Sequence, residues 1–241
     1  MIRLALIGLA LLCVSCNGDP AERRAASVEP AIDRTGKAIY AEFKSTIGQD
    51  NVVRPTPLYR EVAEDDSYWE SETGFNLYRK VMIELSDADG VWLNFLHWQA
   101  PKISGLQEAI KDGMAAYVSE GQTRAYVADL YEHVPVEERD LSYMFYAAFA
   151  DSHCGVRRNL LYQIPTDRLN SNQMACLLNK ANDEDEWYFA RIGAAWALAA
   201  AGNESGVLWA QSQKEIMENK EHQQLLDQVL QAAESRANLS R

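Results

Sequence analysis

The sequence predicts an all-α fold, made of antiparallel helix pairs stacked as a short α-solenoid or gathered as an irregular helical bundle. Two observations lead there. Apolar residues recur at helical spacing almost without interruption from residue 75 onward, no segment alternates β-branched residues with period two, and no Asn-Gly or Asp-Gly pair is flanked by such segments. In addition, an apolar residue followed by proline recurs at Ala100-Pro101, Val134-Pro135 and Ile164-Pro165, spaced 34 and then 30 residues apart.

The elements follow in order. Ile32, Ile39, Tyr40, Phe43 and Ile47 share one face and predict a first amphipathic helix, stopped by Gly48. Residues 49–57, with Pro55 and Pro57, read as an irregular connection. The acidic stretch 64–75 reads as a solvated turn capping the next helix, with Ser71 or Thr73 near its N-cap. Phe75, Tyr78, Val81, Met82 and Leu85 then form one stripe, and Trp92, Phe95 and Leu96 a second. Leu106, Ala109, Ile110, Gly113, Met114 and Tyr117 form a third.

Around the three prolines a register holds: Leu96, Leu130 and Leu160 lie five residues before, and Ile110, Met144 and Met174 nine after. Each proline ends a helix, because it lacks an N–H and disfavours helical geometry in the residue before it. A period of 30–34 with two helices per unit is that of a helical solenoid, in which single units cannot bury their apolar stripes alone.

A second correspondence overlaps the last copy. Asp151 and Arg157 stand six apart, as do Asp185 and Arg191, with 34 residues between the pairs. The apolar positions Leu160, Leu161 and Ile164 map onto Ala194, Ala195 and Leu198. This pattern resembles the HEAT-like helical-repeat family, over residues 151–202 in detail and over 89–150 only through the proline register. The resemblance implies that Asp151, Arg157, Asp185 and Arg191 cap helices and form an ion-pair ladder between units. Residues 204–238 read as a capping pair of helices, carrying Val207, Leu208, Ile216 and Met217 and then Leu225, Leu226, Val229 and Leu230.

The N-terminus has a different character. One positive residue, Arg3, precedes an apolar run from Leu4 to Leu12, too short for the roughly 20 residues that span a bilayer. Cys13-Val14-Ser15-Cys16 then resembles the bacterial lipobox, with cysteine where leucine is usual at its first position. The resemblance implies that residues 1–15 are a cleaved export signal and that Cys16 carries diacylglycerol and a further acyl chain. Two or more chains hold firmly to a bilayer. Asn17 in place of Asp implies the outer membrane of a Gram-negative cell, facing the periplasm. Polar residues 17–31 read as a flexible tether.

Of 241 residues, 35 are acidic and 23 basic; loss of residues 1–15 removes only Arg3, leaving net charge −13. An acidic body with no basic stripe disfavours nucleic acid. It also disfavours direct adhesion to anionic lipid, so bilayer contact is expected through the acyl chains alone.

Cys154 and Cys176 remain, either bridged, as an oxidising compartment allows, or as two small buried hydrophobes. His97, His133, His153 and His222 fall in separate segments without a motif partner, and His97 and His133 sit at unequal offsets from their prolines. No metal spacing, phosphate loop or nucleophile elbow occurs, so neither metal nor cofactor is expected. Adjacent His153 and Cys154 point about 100° apart on a helix and do not form a nucleophile–base pair. The run from Asn182 to Glu186 reads as a helix start and not as a calcium loop. Glu70-Ser71, with aromatic neighbours, resembles the catalytic Glu-Ser of lytic transglycosylases but lacks their downstream motifs. The expectation is therefore a non-enzymatic, membrane-tethered helical-repeat module with a protein partner in the envelope. A peptidoglycan-active enzyme using Glu70 is the alternative.

Overall fold

The computed structural model describes residues 36–41, 61–84 and 90–239. The export signal, Cys16, the tether, the 49–57 connection and most of the first predicted helix lie outside these residues. Residues 36–41 and 61–63 are helical, and they lead into α1 (Asp66–Trp69) and α2 (Glu72–Glu84). There follow α3 (Gly90–Gln99), α4 (Leu106–Ala116), α5 (Gly121–Asp129), α6 (Leu141–Ala150) and α7 (Cys154–Gln163). The chain ends with α8 (Ser171–Asn182), α9 (Tyr188–Ala200), α10 (Glu204–Ile216) and α11 (Lys220–Leu239). No strand occurs among the described residues, and no described helix is long and apolar enough to cross a membrane.

Four helix pairs, α4/α5, α6/α7, α8/α9 and α10/α11, stack in sequence. The second helices form one continuous layer, in which α7 packs on α5, α9 on α7 and α11 on α9. The proline register becomes the core: Leu96, Leu130, Leu160, Ile110 and Met144 are all buried, and Met174 packs against them half-buried. Each proline falls where expected. Pro101 lies in a 3-10 turn (Ala100–Lys102), while Pro135 and Pro165 immediately precede the turns Val136–Glu138 and Thr166–Arg168.

Polar side chains start the helices. Asp140 accepts from the Tyr143 N–H at 3.0 Å, and Asn170 forms a reciprocal capping box with Gln173. Asn203 accepts from the Ser205 N–H, so equivalent helices of three successive units begin on a short polar cap. Ser71 caps α2, accepting from the Gly74 N–H at 3.1 Å. The third pair ends without a proline. There α9 ends on Gly202, whose φ of +80° is the left-handed cap glycine favours, with Asn203 N–H donating back to Leu198 O at 2.9 Å.

Helix α9 is the centre of the stack, touching α7, α8, α10 and α11. Its alanines make this possible: Ala190, Ala194, Ala195, Ala197 and Ala199 are fully buried and let four neighbours approach. Gly206 on α10 sits so close that a Cβ there would lie 2.5 Å from Ala195 O and 2.7 Å from Ala199 N.

Two expectations need correction. Cys154 and Cys176 are free thiols, both half-buried. Helix α8, which carries Cys176, packs on α9, and α7, which carries Cys154, packs on α6, so the turn between them joins two units. In the capping pair, Leu208 and Ile216 are exposed, while Leu226 and Val229 supply the buried contacts.

Candidate functional site

Arginines on the second-helix layer tie one unit to the next. Arg124 of α5 is buried and grips Asp151 in a fork, Nε to Oδ2 at 3.0 Å and Nη2 to Oδ1 at 2.8 Å. Its Nη1 also donates to Tyr117 O at 2.8 Å. One unit on, Arg157 of α7 grips Glu186 in the same way, at 2.9 and 2.6 Å, and donates to Asp151 O. Lys180 adds a second ion pair to Glu186 at 2.6 Å while lying over the Phe149 ring. Burial pushes the Glu186 carboxyl up, but hydrogen bonds from Arg157, Lys180 and the Trp187 N–H outweigh it and hold the group at about 2. Asp151 is likewise held below the carboxylate range, because Arg124 and the His153 N–H outweigh its burial.

Of the residues expected in the ladder, Asp151 and Arg157 stand in it. Asp185 is exposed, with its own N–H bonded to Asp183 Oδ1; its neighbour Glu186 supplies the carboxylate instead. Arg191 donates to Ala181 O at 2.9 Å and lies over the Tyr188 and Trp209 rings. The acidic run is thus a loop in which Glu186 is the structural member.

Sequence reasoning missed Arg124, although arginine recurs at 124, 157 and 191 with steps of 33 and 34. What hid it was the acid six residues upstream in the later copies: position 118 is valine.

The second feature lies where α3 meets the turn edge of the first helix pair. His97, near the end of α3, and His133, closing a 3-10 turn (Leu130–His133), meet ring to ring. His97 Nδ1 is 3.1 Å from His133 Nε2, and Glu132 Oε1 is 3.2 Å from both nitrogens. They are the one group of three or more metal-capable side chains among the described residues whose donor atoms converge. Burial pushes the His133 imidazole down, and the charge of Glu132 opposes it. Burial also pushes the Asp129 carboxyl up, with Glu132 adding to the effect and the two imidazoles opposing it.

No protein-family model matches the chain, and no curated protein or solved structure is significantly similar to it.

Beside the histidines runs a groove of about 470 Å³. Its walls are two successive inter-unit turns, Pro101 to Leu106 and His133 to Pro135, with Glu70 and Glu138 at its margin. The second turn is held from beneath by Arg139, which is buried and donates to Val134 O at 2.9 Å and to Gln163 O at 2.8 Å. Trp98, 55% exposed, and Val136, 46% exposed, flank these turns. Glu70 is exposed at the end of α1. His153 precedes α7 with its ring over Gly121 and Gly155, and His222 packs between Tyr188 and Phe189.

Proposed function

We propose that this chain is a lipoprotein, held through acylated Cys16 at the periplasmic face of an outer membrane, whose helical-repeat body is a protein-interaction module. The lipobox-like tetrad supports the anchor. The groove walled by two successive inter-unit turns carries the interaction reading, since stacked repeats offer extended surfaces that no single unit makes alone. Trp98 and Val136, exposed and close in sequence to the turns that wall it, are apolar groups of the kind that serve as contact anchors. The part-buried Arg124–Asp151 and Arg157–Glu186 pairs fix consecutive units in register, which keeps such a surface preorganised.

Two experiments test the parts separately. Cys16→Ser is expected to move the protein from the membrane to the soluble envelope fraction; continued membrane retention refutes the lipid anchor. A photoreactive phenylalanine replacing Trp98 or Val136, irradiated in cells, is expected to yield a discrete covalent adduct. One at Tyr146, exposed on α6, is the control, and equal labelling at all three positions, or none, refutes the groove as the interaction face.

Glu70 lining the same groove is the observation that favours the cell-wall enzyme. Against it stands the exposure of that carboxylate, because a general acid working near neutral pH needs burial or a like charge to raise its affinity for the proton. Peptidoglycan turnover abolished by Glu70→Gln is the result the enzyme reading requires.

A further inference from the structure

We infer that His97, Glu132 and His133 form a binding site for a divalent transition metal ion of the zinc class. Their three donor atoms make a nearly equilateral triangle with sides of 3.1, 3.2 and 3.2 Å. Zinc bound at about 2.0–2.1 Å by tetrahedral ligands sets those ligands about 3.3–3.4 Å apart, and cis ligands of an octahedron at the same bond length stand about 2.9–3.0 Å apart. The observed edges fall between the two. An ion about 2.05 Å from all three atoms would sit roughly 0.9 Å above their plane, with its remaining positions open to water.

Hydrogen bonds do not fill this triangle. If both imidazoles turn an N–H inward, Glu132 Oε1 accepts twice but two donors face each other across the 3.1 Å edge. With one N–H inward, the other nitrogen and the carboxylate oxygen present lone pairs to each other. A cation uses all three lone pairs together. Two imidazoles and one carboxylate are the donor set of open zinc and non-haem iron sites, whereas magnesium and calcium prefer oxygen throughout. Glu132 supplies one negative charge to the triangle. His97, Glu132 and His133 are partly exposed, so an ion reaches them without unfolding.

The site joins α3 to the turn after α5, so a bound ion clamps α3 to the first helix pair at the groove where His133 stands in the wall. This assignment is independent of the lipid anchor and of any partner.

The test is titration of the full chain, free of any histidine tag and stripped with chelator, with Zn²⁺ alone and with Co²⁺ alone. One equivalent is expected to bind, with visible d–d absorption for Co²⁺ and a rise in melting temperature for Zn²⁺. His97→Gln and His133→Gln are each expected to weaken binding by about a hundredfold or more, and Glu132→Gln by about tenfold or more, since loss of a group that merely supports a ligand already costs about 10–100-fold. His153→Gln and His222→Gln are expected to leave it unchanged. His97→Asp, which places an oxygen where Nδ1 stood, is expected to keep binding within about tenfold, a rescue that a merely structural histidine does not give. Circular dichroism of the metal-free variants confirms that the comparison is between folded proteins. Absence of saturable binding, or binding indifferent to both His97→Gln and His133→Gln, overturns the assignment.

Discussion

Replacing Arg157 by methionine keeps the aliphatic stem that packs between α7 and the loop before α9 but removes the fork that grips Glu186. The carboxylate is left in a site where its side chain is only 6% exposed, with Lys180 and the Trp187 N–H still in place. Holding that carboxyl at about 2, against about 4.5 when unfolded, corresponds to about 3 kcal/mol of stability at 1.36 kcal/mol per pH unit. Breaking a buried pair by removing one partner costs about 3–5 kcal/mol. With Lys180 retained and Arg157 itself part-exposed, the expected loss for Arg157→Met is about 2–3 kcal/mol. For a body of this size that is a fall of roughly 5–10 °C in melting temperature.

The pH dependence has a definite sign. The folded pKa lies below the unfolded one, so the stabilisation is complete above about 4.5 and is lost as pH falls towards about 2. Wild type and variant are therefore expected to differ fully at about pH 7 and progressively less below about pH 4.5 in urea unfolding. A difference under about 1 kcal/mol at neutral pH, or one that stays constant through the acid range, refutes the ladder as a source of stability.

Three further outcomes follow from the packing. Gly206→Ala is expected to destabilise by about 2–4 kcal/mol by forcing α10 off the α9 backbone, read as a lower urea midpoint; unchanged stability sinks the close-approach argument. Gly202→Ala, at a left-handed cap with only a side chain 3.7 Å from the added Cβ, is expected to cost about 1 kcal/mol through strain alone. Cys154 and Cys176 are expected each to take up one alkyl group in unreduced, denatured protein, detected by mass spectrometry. A species blocked at both positions until reduced contradicts their placement.

The all-α class, the places where three helices stop and the inward face of each stripe are properties of local chemistry, and the sequence alone determined them. Proline ends a helix that runs into it from the N-terminal side, and the apolar residues that keep step with Pro101, Pro135 and Pro165 have nowhere to go but the interior. Ser71 as a helix cap was legible for the same reason, since its hydroxyl competes for a backbone N–H three residues away. The tertiary structure alone decided the pairings between units. Glu186 displaces Asp185 from the ladder because a loop residue's direction depends on the elements it joins, and Arg124 joins the ladder through an acid 27 residues later. His97 and His133, 36 residues apart and out of step with their prolines, converge because a tight 3-10 turn after α5 swings the second ring towards α3. Periodicity fixes which side of a helix is buried. It carries no information on which polar groups meet across two units, and that is set by how the pairs stack.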